Sequence, residues 1–153
     1  MEKKSADAPL ASGETRHSLR LHVHFGDVDH AGILYYPRMF HYAHLAYEDW
    51  LRTCPGWSLP DCFHYQKIGT PVVSTEAGFH GPLAHGERVL VELVVERVGS
   101  RSFTLGFRLC DEDSGAVRAR IRVVHAMVSL ETFQSIEIPT ELRTFLVGEE
   151  KGA

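Results

Sequence analysis

Residues 25–37 read FGDVDHAGILYYP and carry more polar chemistry than a strand-to-helix link requires. Such a link needs one turn residue and a cap. Here two acids, a histidine and a glycine precede a Tyr-Tyr-Pro helix start. An acid held beside a helix N-terminus suits attack on a carbonyl carbon. Asp29 can supply such a carboxylate as general base or nucleophile, although an acid at this spacing is more often a cap or turn-former. The helix end would supply unpaired N–H groups and the positive end of the dipole, where negative charge develops on oxygen. Losing one such donor elsewhere raises a barrier by roughly 3–4 kcal/mol, so a helix end suffices as the electrophilic device. Gly32 lets the backbone turn tightly enough to aim both groups at one atom. Asp27 is expected to brace the turn, the ordinary role of an acid just before a helix.

The flanking pattern supplies the elements that would hold this segment. From His17 the chain alternates, with Leu19, Leu21, Val23 and Phe25 apolar, which marks a half-buried strand ending at Phe25. RMFHYAHLAYEDWLRTC, residues 38–54, reads as a helix with Pro37 in its first turn. It is apolar around most of its circumference, leaving only His41, His44, Glu48 and Arg52 as a polar stripe, so other structure must enclose it. Four strand-like segments follow: TPVVSTEAGF, ERVLVELVVERV, RSFTLGFRLCD and AVRARIRVVHAMVSLE. A short helix is expected near Pro139. Short links pair neighbouring strands antiparallel, so the class is α+β, about five strands curled around one long helix. One domain is placed at residues 17–147, between flexible tails at 1–16 and 148–153.

Ten histidines raise the question of a metal, but His22 with His24 and His41 with His44 lack a completing ligand set, and none is expected. The three cysteines, Cys54, Cys62 and Cys110, have neither metal spacing nor an adjacent base, and match a reducing, cytoplasmic setting. Arg118, Arg120 and Arg122 share one strand face, where Glu92 and Glu96 are phased to offset them. The alternative use of that row is a strip for phosphates. A net charge of −4 disfavours nucleic acid as a partner. No apolar run approaches a membrane span, so no membrane partner is expected.

With GDVDHAGILYYPRMF at the helix entrance, the chain resembles the hotdog-fold thioesterases, specifically the 4-hydroxybenzoyl-CoA thioesterase family. That family's opening motif, G-D-x-D-x-A-G-[IV]-[VL]-[WY]-Y-P, is met nearly throughout residues 26–37. Weaker echoes are GTPVVS from Gly69 and SRSF from Ser100, and the likeness spans residues 17–147. The resemblance implies hydrolysis of an acyl-CoA thioester, aromatic or medium-sized, with coenzyme A as part of the substrate and no cofactor. It implies Asp29 as the catalytic carboxylate, the Tyr36 N–H as donor to the thioester carbonyl, and Gly32 as the turn between them. It places His30 and Tyr35 near the acyl group, and Thr70, Arg101 and Ser102 among substrate contacts, with Arg101 and Ser102 on the coenzyme side. His30 stands where the aromatic branch often has proline, and Tyr35 where it can have tryptophan. The histidine that Tol-Pal-associated relatives carry at the Tyr36 position is absent. A homo-oligomer is implied, a dimer with shared sites extending to a tetramer. The alternatives are a non-catalytic acyl-CoA-binding hotdog module and, ranked last, a hotdog acyl-CoA dehydratase. Thiol release from a panel of esters separates them.

Overall fold

The computed structural model describes residues 9–148. The chain runs β1 (His17–His22), α1 (Tyr36–Leu51), β2 (Ile68–Gly69), β3 (Val72–Phe79), β4 (Arg88–Val98), β5 (Ser102–Asp111), β6 (Val117–Ala126), β7 (Val128–Ser129) and α2 (Thr140–Val147). Five strands form one antiparallel sheet in the order β1-β4-β5-β6-β3, and β2 pairs with β7 apart from it. Period-two alternation turns Val89, Val91 and Leu93 inward from β4, Phe103, Leu105, Phe107 and Leu109 from β5, and Ala119, Ile121 and Val123 from β6. Against this face α1 buries Met39, Tyr42, Ala43, Ala46, Tyr47, Trp50 and Leu51. This is the α+β hotdog arrangement that the resemblance implied. The links are tight for local reasons: Gly99 N–H closes on Ser102 O at 2.8 Å, and Gly115 takes φ +74° where β5 turns into β6.

Three expectations need correction. The first strand stops at His22, and Phe25 is 78% exposed. The chain must leave the sheet to reach α1, and a 3-10 turn over Phe25–Asp27 throws that ring outward, edge-on to His85. Helix α1 begins at Tyr36, not Arg38, and ends at Leu51, with Pro37 in its first turn. Its polar stripe is exposed at His41, His44 and Arg52, and no Glu48–Arg52 ion pair forms among the described residues.

The third concerns the N-terminal segment expected to hang free, which is docked from Leu10 onward. Ala11 is fully buried over Gly106, where any Cβ would come within 2.6 Å of the Ala11 Cα. Arg108 donates to Ala11 O (2.7 Å) and to Thr15 Oγ1 (2.6 Å), Arg120 donates to Leu10 O (3.0 Å), and Ala11 N–H donates to Glu96 (2.6 Å). The outer sheet face would otherwise expose Val94, and this segment covers it. The C-terminal tail lies outside the described residues beyond Gly148. The arginine row is occupied only in part as phased: Arg122 meets Glu96 at 2.6 Å and also Glu76 at 3.4 Å, but Glu92 pairs with Arg108 instead, and Arg118 meets Asp111 at 3.5 Å.

Candidate active site

Residues 28–34 form a small hairpin at the entrance of α1. Val28 bridges Leu34, Asp29 N–H donates to Ile33 O, and Gly32 N–H returns to Asp29 O, both at 2.9 Å. Gly32 sits at φ +79°, the left-handed conformation that glycine adopts without strain. The Oδ1 of Asp29 accepts from Ala31 N–H at 2.8 Å, fixing the side chain on its own turn. Its Oδ2 has no partner among the described residues. Leu34 N–H to Leu83 O (2.7 Å) and His85 N–H to Gly32 O (3.1 Å) tie the hairpin to the segment that leads into β4. The acid therefore stands on a pinned platform.

Asp27 braces that platform. Its Oδ2 accepts the Tyr42 hydroxyl at 2.8 Å, its carbonyl accepts Tyr35 N–H at 2.8 Å, and Arg38 lies 3.6 Å from Oδ1. Burial first, and then the bond to Asp27, push Tyr42 up to about 12. The neutral phenol is favoured in the folded state, so this contribution is complete below pH 10 and disappears as pH rises towards 12. Tyr42→Phe is expected to lose about 1–2 kcal/mol in a denaturant melt at neutral pH. A variant as stable as the parent would remove the brace.

The helix tip is open. Tyr35 caps α1 with extended backbone and no side-chain hydrogen bond, and Pro37 has no N–H to satisfy. The Tyr36 N–H has no acceptor among the described residues. Asp29 shares a groove of about 730 Å³ with Ile33, Tyr35, Tyr36, Met39 and Phe79. Asp29 and Tyr36 thus line one open groove, Asp29 exposed at its edge and Gly32 in the turn between them. Tyr35 and Tyr36 are half exposed, ring edge to ring face at 5.5 Å. His30 is exposed at the corner of the turn and makes no hydrogen bond among the described residues.

Other candidates lie elsewhere. Arg101 sits in the β4–β5 link, where its guanidinium donates to Ser135 O, and Ser102 opens β5. The eleven residues of β4 separate them from the Asp29 end, roughly 30 Å at about 3.3 Å per residue. Thr70 is also distant, with its hydroxyl 3.0 Å from the Tyr47 hydroxyl. No group of metal-ligating side chains occurs among the described residues. Burial pushes the Cys62 and Cys110 thiols up to about 11 and raises Cys54, so none offers a thiolate at neutral pH.

Sequence reasoning passed over His125. It occupies the inward phase of β6 after Ala119, Ile121 and Val123, and that misplaced polarity was its one signal. The ring is 3% exposed and stacks against both Tyr47 (4.6 Å) and Phe103 (5.0 Å). It lines a cavity of about 170 Å³ between α1 and the β3 side of the sheet. Burial pulls its pKa down to about 4, against an ordinary value of 6.5. The neutral ring is favoured on folding, so its contribution is complete above pH 6.5 and fades as pH falls towards 4. That is on the order of 3 kcal/mol. His125→Phe is expected to flatten the fall in stability across that window. Parallel curves for variant and parent would refute it.

The family profile described as Thioesterase-like superfamily matches residues 23–146. A 1,4-dihydroxy-2-naphthoyl-CoA hydrolase of Thermosynechococcus vestitus is 31% identical over 124 residues, covering 81% of this chain and 84% of that relative. Its counterpart in Synechocystis is 25% identical over 122 residues, covering 80% and 88%. Among solved structures, a gentisyl-coenzyme A thioesterase superposes with a TM-score of 0.73 at 25% identity, covering 82% and 98%. A 1,4-dihydroxy-2-naphthoyl-CoA thioesterase from Synechocystis reaches a TM-score of 0.79 at 24% identity, covering 86% and 95%, a likeness of fold.

Proposed function

This chain belongs to the thioesterase-like superfamily, and from that premise we propose that it hydrolyses the thioester of an aromatic acyl-CoA to the free acid and coenzyme A. The observation that carries the reading is the shared groove of Asp29 and the uncapped helix tip. A thioester carbonyl seated there would accept from the Tyr36 N–H, and negative charge developing on its oxygen would meet the positive end of α1. The Asp29 carboxylate has two routes. It attacks the carbonyl carbon, expelling the CoA thiolate and leaving a mixed anhydride that water then opens. Alternatively it takes the proton of a water whose oxygen attacks, and the tetrahedral intermediate expels the thiolate. Neither route calls for a cofactor. The aromatic acyl group is taken from the substrates named for the 1,4-dihydroxy-2-naphthoyl-CoA and gentisyl-CoA relatives.

The working unit in this proposal is a dimer. Strand β3 is an edge of the sheet, with Val72 and Val73 more than half exposed. Such an edge invites pairing. Antiparallel pairing of β3 with its copy sets the Phe79 end, where Asp29 lies, against the Val72 end, where Thr70, Arg101 and Ser102 gather. Residues roughly 30 Å apart in one copy then flank one cleft, which supports roles for all three in holding the coenzyme or acyl group.

Thiol release from benzoyl-, hydroxybenzoyl-, naphthoyl-, phenylacetyl- and straight-chain CoA esters tests the reading. Fastest release is expected from the ring-bearing esters. Release from straight chains alone would sink the aromatic assignment, and no release from any ester would sink hydrolysis.

A further inference from the structure

We propose that His125 determines specificity by accepting, at Nε2, a hydrogen bond from a hydroxyl on the ring of the bound acyl group. The inference rests on the aryl-thioester reading above and deepens it.

The tautomer follows from the ring's partner. Nδ1 lies 2.8 Å from the Thr70 carbonyl oxygen, which only accepts, so Nδ1 carries the proton and Nε2 presents a lone pair. Nε2 has no partner among the described residues. The ring is almost wholly buried yet lines the cavity between α1 and β3, which is otherwise walled by Phe40, Ala43, Val72, Phe107 and Val123. At about 170 Å³ this space compares with the ~150 Å³ at which a dry apolar cavity binds benzene, so it is sized for a ring. The Tyr47 hydroxyl, the other deep polar group, is already engaged with Thr70. His44 and Thr75 stand exposed at the rim. An apolar space with one unsatisfied acceptor at depth selects a flat apolar group bearing one donor. Val72 is 53% exposed at the mouth, on the edge where the second copy would bring its helix tip.

A merely structural histidine would hold β6 to the start of β3 and leave specificity untouched, so the test reads specificity. Three sets of naphthoyl-CoA esters carry, at each position away from the thioester, a hydroxyl, its methyl ether or hydrogen. The parent is expected to favour one hydroxylated ester over its ether and its unsubstituted analogue by about tenfold or more in kcat/KM. In His125→Phe, which keeps the stack, that ratio is expected to fall to within about twofold of one, while hydrolysis of the unsubstituted ester persists. A parent without preference, or a preference that survives in the variant, overturns the proposal. Should the variant fail to fold, the ¹⁵N resonance of Nε2 in the parent decides. It is expected to move upfield with the hydroxyaryl acid product and stay with the methyl ether, and an unmoved resonance overturns the proposal. Hydrolysis without hydroxyl preference defeats this inference alone; no hydrolysis of any ester defeats the reading beneath it.

Discussion

Replacing Asp29 with asparagine is expected to lower kcat by about a thousandfold while leaving the fold and the affinity for free coenzyme A unchanged. The substitution is conservative in shape. An amide oxygen still accepts from Ala31 N–H, so the turn that places the side chain survives. The anionic oxygen that would attack, or remove a proton, in the proposed reaction does not. Saturating kinetics beside a thermal melt separate the two, and a variant within a few-fold of the parent would remove the acid from the mechanism. In the parent, reacted once in ¹⁸O-water, label on Asp29 establishes the anhydride route. Water opening a mixed anhydride at the protein carboxyl labels Asp29. Direct attack by water on the thioester labels only the released acid.

Val73→Lys is expected to yield a folded monomer whose kcat/KM falls by about a hundredfold or more. Lysine on an open strand edge blocks pairing with a second strand, because the charge would be stripped of water between two backbones. The Val73 side chain is 60% exposed and sits where the β3–β6 register shifts, so the protomer's core is unaffected. Asp29 and the helix tip remain as they were, at the opposite end of β3. A loss of activity that tracks loss of the dimer in sedimentation would place Thr70, Arg101 and Ser102 across the interface from the acid. A monomer as active as the parent would show that one copy holds the whole site.

The parts of this protein legible from its residues are those with local causes. The hairpin at Asp29 depends on an acid, a glycine and the following helix start within a few positions, and each constrains backbone geometry directly. Alternation in β4, β5 and β6 announced the inward face, and the pairing of Arg122 with Glu96 followed from their phase on the same sheet face, across β5. Phe25 misled because its spacing continues the β1 pattern, whereas the chain needs that position to turn.

What the sequence by itself determined is the antiparallel class, the glycine-bearing turn that carries Asp29 to the helix entrance, and the family to which these belong, since all are written in short-range spacing. Only the tertiary structure decided that Ala11 closes over Gly106, that His125 lies in a ring-sized cavity with one nitrogen unspent, and that Arg101 stands a strand's length from Asp29. Each of these joins or separates groups through contacts between residues distant in the chain. Such contacts depend on volume left free after packing, a quantity that no local pattern of residues encodes.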